Sequence, residues 1–138
     1  MKQINSVCLI TRDVQRLANF YGAALECKIE GDDRFAYIST QGPGLSFFAE
    51  PGMDQMAPGS MQGAGRGSFT LEVQVEDVDR EYARMVELGA AVVKPPTTQP
   101  WGWRSAWFRD PDGNILNFCA PVELQSPPAG SLDSGEKD

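Results

Sequence analysis

The chain has 138 residues, 41% hydrophobic and 22% charged, with 19 acidic against 12 basic side chains and a net charge of -7. That length bounds it to one domain or two small modules sharing a core. An acidic body argues against nucleic acid, whose phosphates call for Lys and Arg, and no apolar run approaches the ~20 residues of a membrane span.

In chain order, Ile4–Thr11 is β-branched and apolar enough for a strand. Asp13 stands as an N-cap before VQRLANFYGAAL, where Val14, Leu17, Phe20, Tyr21, Ala24 and Leu25 form a helical apolar stripe. Short strands are expected at Cys27–Glu30, Phe35–Thr40 and Leu45–Glu50, with turns at Gly31-Asp32-Asp33 and Gly42-Pro43-Gly44. Pro51–Gly67 has five glycines, two prolines, three methionines and no period, which reads as a linker or mobile loop. Phe69–Val75 then alternates strictly as a strand, and Asp77 caps a helix over VDREYARMVELG that ends at Leu88-Gly89. Ala90–Lys94 is a further strand, broken by Pro95-Pro96. The last element is QPWGWRSAWFRDPDGNILNF, an aromatic hairpin around Asp110–Gly113 that holds all three tryptophans.

Aligning Asp13 with Asp77, an offset of 64, superimposes Arg16 on Arg80, Val7 on Leu71 and Leu9 on Val73. Each half reads strand, helix, then about three strands. The expectation is therefore an α+β fold in which two βαβββ modules form a curved mixed sheet, a cup or barrel with helices outside. The first module is placed at residues 1–51, a Gly/Met-rich linker at 52–67, the second module at 68–122 and a disordered tail at 123–138.

Strand alternation sorts the faces. Leu71, Val73 and Val75 should lie under the helix, leaving Thr70, Glu72 and Gln74 on the concave side. By the repeat Ser6, Cys8 and Ile10 join them, as do Ser46, Phe48 and Glu50. A four-residue turn at Asp110–Gly113 pairs Phe108 with Ile115 and Ala106 with Asn117. That register puts Phe108, Ala106, Arg104 and Asn117 in the concavity, and Leu116, Phe118 and Trp107 toward the helix; a slip of one residue would exchange the faces. Such a polar and aromatic surface suits a small organic molecule, and the acidic balance is compatible with a cationic one.

The chain has no histidine. Cys8, Cys27 and Cys119 are scattered without CxxC spacing, and Glu50 with Glu72 alone make a poor transition-metal site. No Ser–His or Cys–His pair and no phosphate loop is present. The expectation is that the protein has no metal or other cofactor, although metal-free catalysis through Glu72 or Glu50 stays open. Three scattered cysteines, read as reduced and mostly buried thiols, and an N-terminus with too short an apolar stretch and too early a charge for a signal peptide lead to the expectation of a cytoplasmic protein.

Thr11-Arg12-Asp13-Val14 leading to Phe20-Tyr21, the later VQVEDVD, and QPWG followed by FRDPDGNILNF resemble the vicinal oxygen chelate superfamily over about residues 1–121. That superfamily includes glyoxalases, extradiol dioxygenases, fosfomycin-modifying enzymes and antibiotic-binding resistance proteins. Within it the chain most resembles the bleomycin resistance proteins, with Trp103 and Trp107 standing outside their pattern. In metal-dependent members four strand positions carry His or Glu, and these fall on Ser6, Ser46, Thr70 and Asn117. The resemblance thus implies a metal-free binding protein that sequesters an antibiotic-like aromatic cation. It implies a homodimer, segment-swapped across Pro51–Gly67, with ligand stacked on Trp101, Trp103, Phe48 and Phe108 and a cationic tail held by Glu50, Glu72 or Asp54. The alternative is an enzyme of the same superfamily, a lyase or transferase acting on a small oxygenated substrate with an atypical metal site or none.

Overall fold

The computed structural model describes residues 1–122; the tail at 123–138 lies outside the described residues. The chain divides into two compact units, Met1–Arg66 with Asp110–Asp112, and Gly67–Arg109 with Gly113 onward.

The first unit runs β1 (Ser6–Thr11), α1 (Val14–Leu25), β2 (Glu30–Gly31), β3 (Phe35–Ile38), β4 (Gly44–Ala49) and α2 (Glu50–Met56). Its sheet has the order β1-β4-β3-β2, with β1 parallel to β4 and the other pairs antiparallel. The apolar stripe of α1 buries Val14, Leu17, Ala18, Tyr21 and Ala24, and the sheet contributes buried Leu9, Ala36, Ile38, Leu45 and Phe47. The Tyr21 ring stacks on Phe47 at 5.7 Å. Its hydroxyl donates to Asp110 Oδ2 at 2.7 Å, which ties the Asp110–Asp112 turn into this unit.

The second unit repeats the plan: β5 (Thr70–Gln74), α3 (Val78–Glu87), β6 (Ala91–Thr98), β7 (Trp103–Arg109) and β8 (Ile115–Pro121). Its order is β5-β8-β7-β6, again with the first strand parallel to the last and the rest antiparallel. Met85 and Val78 of α3 are buried with Ala106, Phe108, Leu116 and Phe118, and Tyr82 of α3 lies against the Phe108 ring at 6.0 Å. The fold is the expected α+β pair of βαβββ modules. No helix among the described residues is long and apolar enough to cross a membrane.

The caps follow from the sequence. Asp13 and Asp77 are extended, and each accepts from the backbone N–H three residues on, at Arg16 and Arg80. Gly89 adopts a φ of 86° just after α3, the left-handed stop a helix C-terminus favours.

Four local expectations are corrected. Cys27 does not open a strand, because Glu26 and Cys27 close α1: Glu26 is left-handed and the Cys27 N–H returns to Gly22 O at 3.1 Å. The Pro51–Gly67 stretch is not devoid of structure, since α2 begins at Glu50 with Pro51 in its first turn. That helix buries no residue, so it left no apolar period to read. Pro95-Pro96 does not break its strand. β6 runs through them at the sheet edge with register shifts on both sides of Lys94, a place where a missing N–H costs no ladder bond.

The fourth correction moves the hairpin register by one. Phe108 pairs with Leu116, Trp107 with Asn117 and Arg109 with Ile115. Asn114 belongs to the turn rather than the strand, because its Oδ1 accepts from the Gly67 N–H at 3.3 Å. Asp110 Oδ1 holds the Asp112 N–H at 2.8 Å, and Gly113 takes a φ of 93°. The turn is therefore five residues long, and β7 shows its opposite face.

Candidate functional site

Each sheet has one face on its helix and a far face away from it. In the first unit the far face carries Ser6, Cys8 and Ile10 of β1, Ser46 and Phe48 of β4, and Phe35 and Tyr37 of β3, as the ladder pairs them. Cys8 stands directly opposite Ser46, and Tyr37 flanks Ser46 on the other side. Phe35 meets Phe48 edge-on at 6.1 Å and Tyr37 at 6.2 Å. Phe35 and Tyr37 are 43% and 42% exposed, so this face offers aromatic surface to solvent. Neither was picked out from the sequence, although the alternation of Phe35–Thr40 and the pairing of Phe35 with Phe48 would have revealed both.

Glu50 does not extend β4. It opens α2, where Arg12 Nε approaches its Oε1 at 3.1 Å and Arg66 lies 3.7 Å from Oε2. Its charge is therefore already matched by two cations.

In the second unit the far face carries Thr70, Glu72 and Gln74 of β5, Ile115, Asn117 and Cys119 of β8, and Trp103, Ser105 and Trp107 of β7. Glu72 is exposed and makes no ion pair or hydrogen bond among the described residues. Asn117 is 7% exposed and lies directly between Glu72 and Trp107. The Lys94 ammonium sits 5.9 Å from the Trp107 ring centroid, a cation–π contact.

The register correction removes three expected residues, Arg104, Ala106 and Phe108, from this face. Phe108 is wholly buried against Tyr82 and Phe118 on the helix side. Arg104 turns to α3, its Nε and Nη2 donating to Asp79 at 2.9 and 2.8 Å and its Nη1 to Thr98 at 2.9 Å. These hydrogen bonds hold the Asp79 carboxyl below its ordinary value and push the Arg104 guanidinium up. Trp103, Ser105 and Trp107 take the places forfeited by Arg104, Ala106 and Phe108. Trp101 sits outside the strands, 58% exposed in the Gln99–Gly102 turn.

Ser6, Ser46, Thr70 and Asn117, the positions that the resemblance implies for metal ligands, do not have the donors for a metal. Ser6 and Ser46 lie diagonally across β1 and β4, and Thr70 and Asn117 across β5 and β8. Each unit thus offers two neutral oxygens in place of imidazole or carboxylate. Among the described residues no group of three Asp, Glu or Cys converges to replace them.

The family model for the Glyoxalase/Bleomycin resistance protein/Dioxygenase superfamily matches residues 3–118. The uncharacterized protein YraH of Bacillus subtilis is 28% identical over 117 residues, covering 80% of this chain and 91% of that protein. Among solved structures, a glyoxalase/bleomycin resistance protein/dioxygenase family enzyme from Burkholderia phytofirmans has a TM-score of 0.79 at 20% identity, covering 88% of this chain and 100% of that one. TioX from Micromonospora sp. ML1 has a TM-score of 0.67 at 23% identity, with coverage of 88% and 100%. These two structures share the fold.

Proposed function

We propose that this chain, which belongs to the Glyoxalase/Bleomycin resistance protein/Dioxygenase superfamily, binds and sequesters an antibiotic-like aromatic cation without transforming it. The observation that carries the reading is the chemistry of the far faces. Where metal-dependent relatives place ligands, this chain has Ser6, Ser46, Thr70 and Asn117, and beside them stand Phe35, Tyr37 and Phe48 in one unit and Trp103 and Trp107 in the other. A face of neutral hydroxyls, or of a hydroxyl, an amide and aromatic rings, lacks the imidazoles of a Lewis-acid site, but it can hold a flat molecule.

In this reading Trp103 and Trp107 of the second unit stack on the ligand and Glu72 on the same face, free of any ion pair among the described residues, draws its positive charge. An exposed ion pair contributes only ~0–1 kcal/mol, so most affinity comes from apolar area removed from water at ~25 cal/mol per Å². The protein acts as a cytoplasmic homodimer, with Trp101 in its exposed turn as a further stacking surface.

The test is a titration of tryptophan fluorescence with bleomycin and with acridine-type cations. A saturable change with at least one of them is expected. No change with any, in protein shown to be folded, sinks the proposal. Elemental analysis of protein purified without chelator adds a second check: stoichiometric transition metal would overturn the assignment of Ser6, Ser46, Thr70 and Asn117 and favour an enzyme.

A further inference from the structure

Four side chains line up straight across the far face of the second sheet. Glu72 of β5 pairs with Asn117 of β8, Asn117 with Trp107 of β7, and Trp107 with Lys94 of β6. Neighbours in such a row stand about 4.5–5.5 Å apart at Cβ. The two central members carry an unmet donor and an unmet acceptor. Trp107 Nε1–H and Asn117 Oδ1 are both shielded from solvent, and neither has a hydrogen-bond partner among the described residues. Asn117 as a whole is 7% exposed. Buried polar atoms without partners are costly and rare in folded proteins, so this pair points to something that completes it. The ends of the row carry opposite charges, the Glu72 carboxylate and the Lys94 ammonium.

We propose that this row recognises a primary carboxamide, or the equivalent cis-amide edge of a lactam, carried beside a cationic amine on an aromatic ligand. The proposal rests on the binding reading above and names the group at the centre of that site. An acceptor next to a donor selects a group that shows a donor and an acceptor on one edge. An ammonium alone satisfies Asn117 and leaves the indole N–H unmet. A carboxylate satisfies the indole but faces Asn117 Oδ1 and Glu72. A trans amide points its N–H and C=O in opposite directions, so it reaches only one of the two. A primary carboxamide donates through N–H to Asn117 Oδ1 and accepts at its oxygen from Trp107 Nε1–H. The polarity of the row then sets the ligand's direction. Its cation lies toward Glu72, because the Lys94 ammonium over the indole repels positive charge at the other end.

The experiment is NMR of the ¹⁵N-labelled full chain, following the Trp107 indole N–H signal, assigned with Trp107→Phe. Two probes are compared at about pH 6, below the ~7.7 of an α-amino group so that both amines are charged. L-Phenylalaninamide carries ring, cation and carboxamide; phenethylamine carries ring and cation only. The amide probe is expected to bind at least about tenfold tighter, as a site built around a hydrogen-bonding group rejects analogues lacking it, and to shift the Trp107 indole signal saturably. Asn117→Leu should abolish that advantage, bringing the affinity ratio of the two probes to about one. Its melting temperature should not fall, since the substitution removes an unpaired buried oxygen. Equal affinity for the two probes, as expected if only water fills the pair, overturns the carboxamide assignment and leaves the binding reading standing. Survival of the advantage in Asn117→Leu does the same. Failure of both probes to bind the folded protein overturns both.

Discussion

Tyr21 and Asp110 form an enclosed polar contact, a 2.7 Å hydrogen bond between the side chains of residues that are 0% and 4% exposed. Burial raises the Tyr21 phenol far above its ordinary value, and the hydrogen bond to Asp110 and the charges of Asp110 and Asp112 raise it further. Because the folded value lies above the unfolded one, stability from neutral Tyr21 is complete below about pH 10 and is lost as pH rises beyond it. Denaturant unfolding measured from neutral pH to pH 11 should show that alkaline loss, and Tyr21→Phe should flatten it. At neutral pH the same variant should cost about 1–3 kcal/mol, because it removes the phenol donor from a buried Asp110 oxygen. Asp79 gives the opposite sign. Arg104 holds its carboxyl down, so the pair's contribution is present above the ordinary aspartate range and is lost as pH falls below it. Asp79 is 60% exposed at its side chain, which limits that contribution to ~0–1 kcal/mol; Arg104→Ala should therefore shift the acid midpoint only slightly.

Both long helices begin at an aspartate whose side chain accepts the backbone N–H three residues on. Asp13→Ala and Asp77→Ala should each destabilise by about 1 kcal/mol, seen as a fall of a few degrees in Tm. The β7–β8 turn decides more for function than either helix does. Gly113 at φ 93° gives that turn its left-handed residue, and Asn114 is held by the Gly67 N–H. Gly113→Val forces a β-branched residue into that conformation and should cost more than 1 kcal/mol. It should also disturb the Trp107–Asn117 pairing, which the chemical shift of the Trp107 indole would report. Proline at the edge of β6 makes a complementary point. A dipeptide that ends a central strand is harmless where the sheet has no further partner.

At the scale of the whole molecule, two units of identical strand order arise from halves whose detectable identity is confined to caps and strand phase. Strand order follows from the pattern: one strand, a crossover helix and three antiparallel strands place the first strand parallel to the last. Sedimentation equilibrium should return a homodimer mass under the proposed function. A monomer at micromolar concentration would exclude the dimeric part of it while leaving the far-face chemistry untouched.

The sequence by itself determined the βαβββ repeat, both N-caps, the neutral side chains at Ser6, Ser46, Thr70 and Asn117, and the far-face phase of β1, β4 and β5. Each is a local property: a capping aspartate, a period of two or 3.6, or a residue type at a motif position. Only the tertiary structure decided which face of β7 looks away from its helix. One residue of turn length separates the two answers, and that residue, Asn114, is claimed by a backbone N–H at Gly67, 47 positions earlier. No local pattern reports such a contact. It moved Phe108 and Arg104 onto the helix side and brought Trp107 opposite Asn117, because in a strand a slip of one residue reverses every side chain.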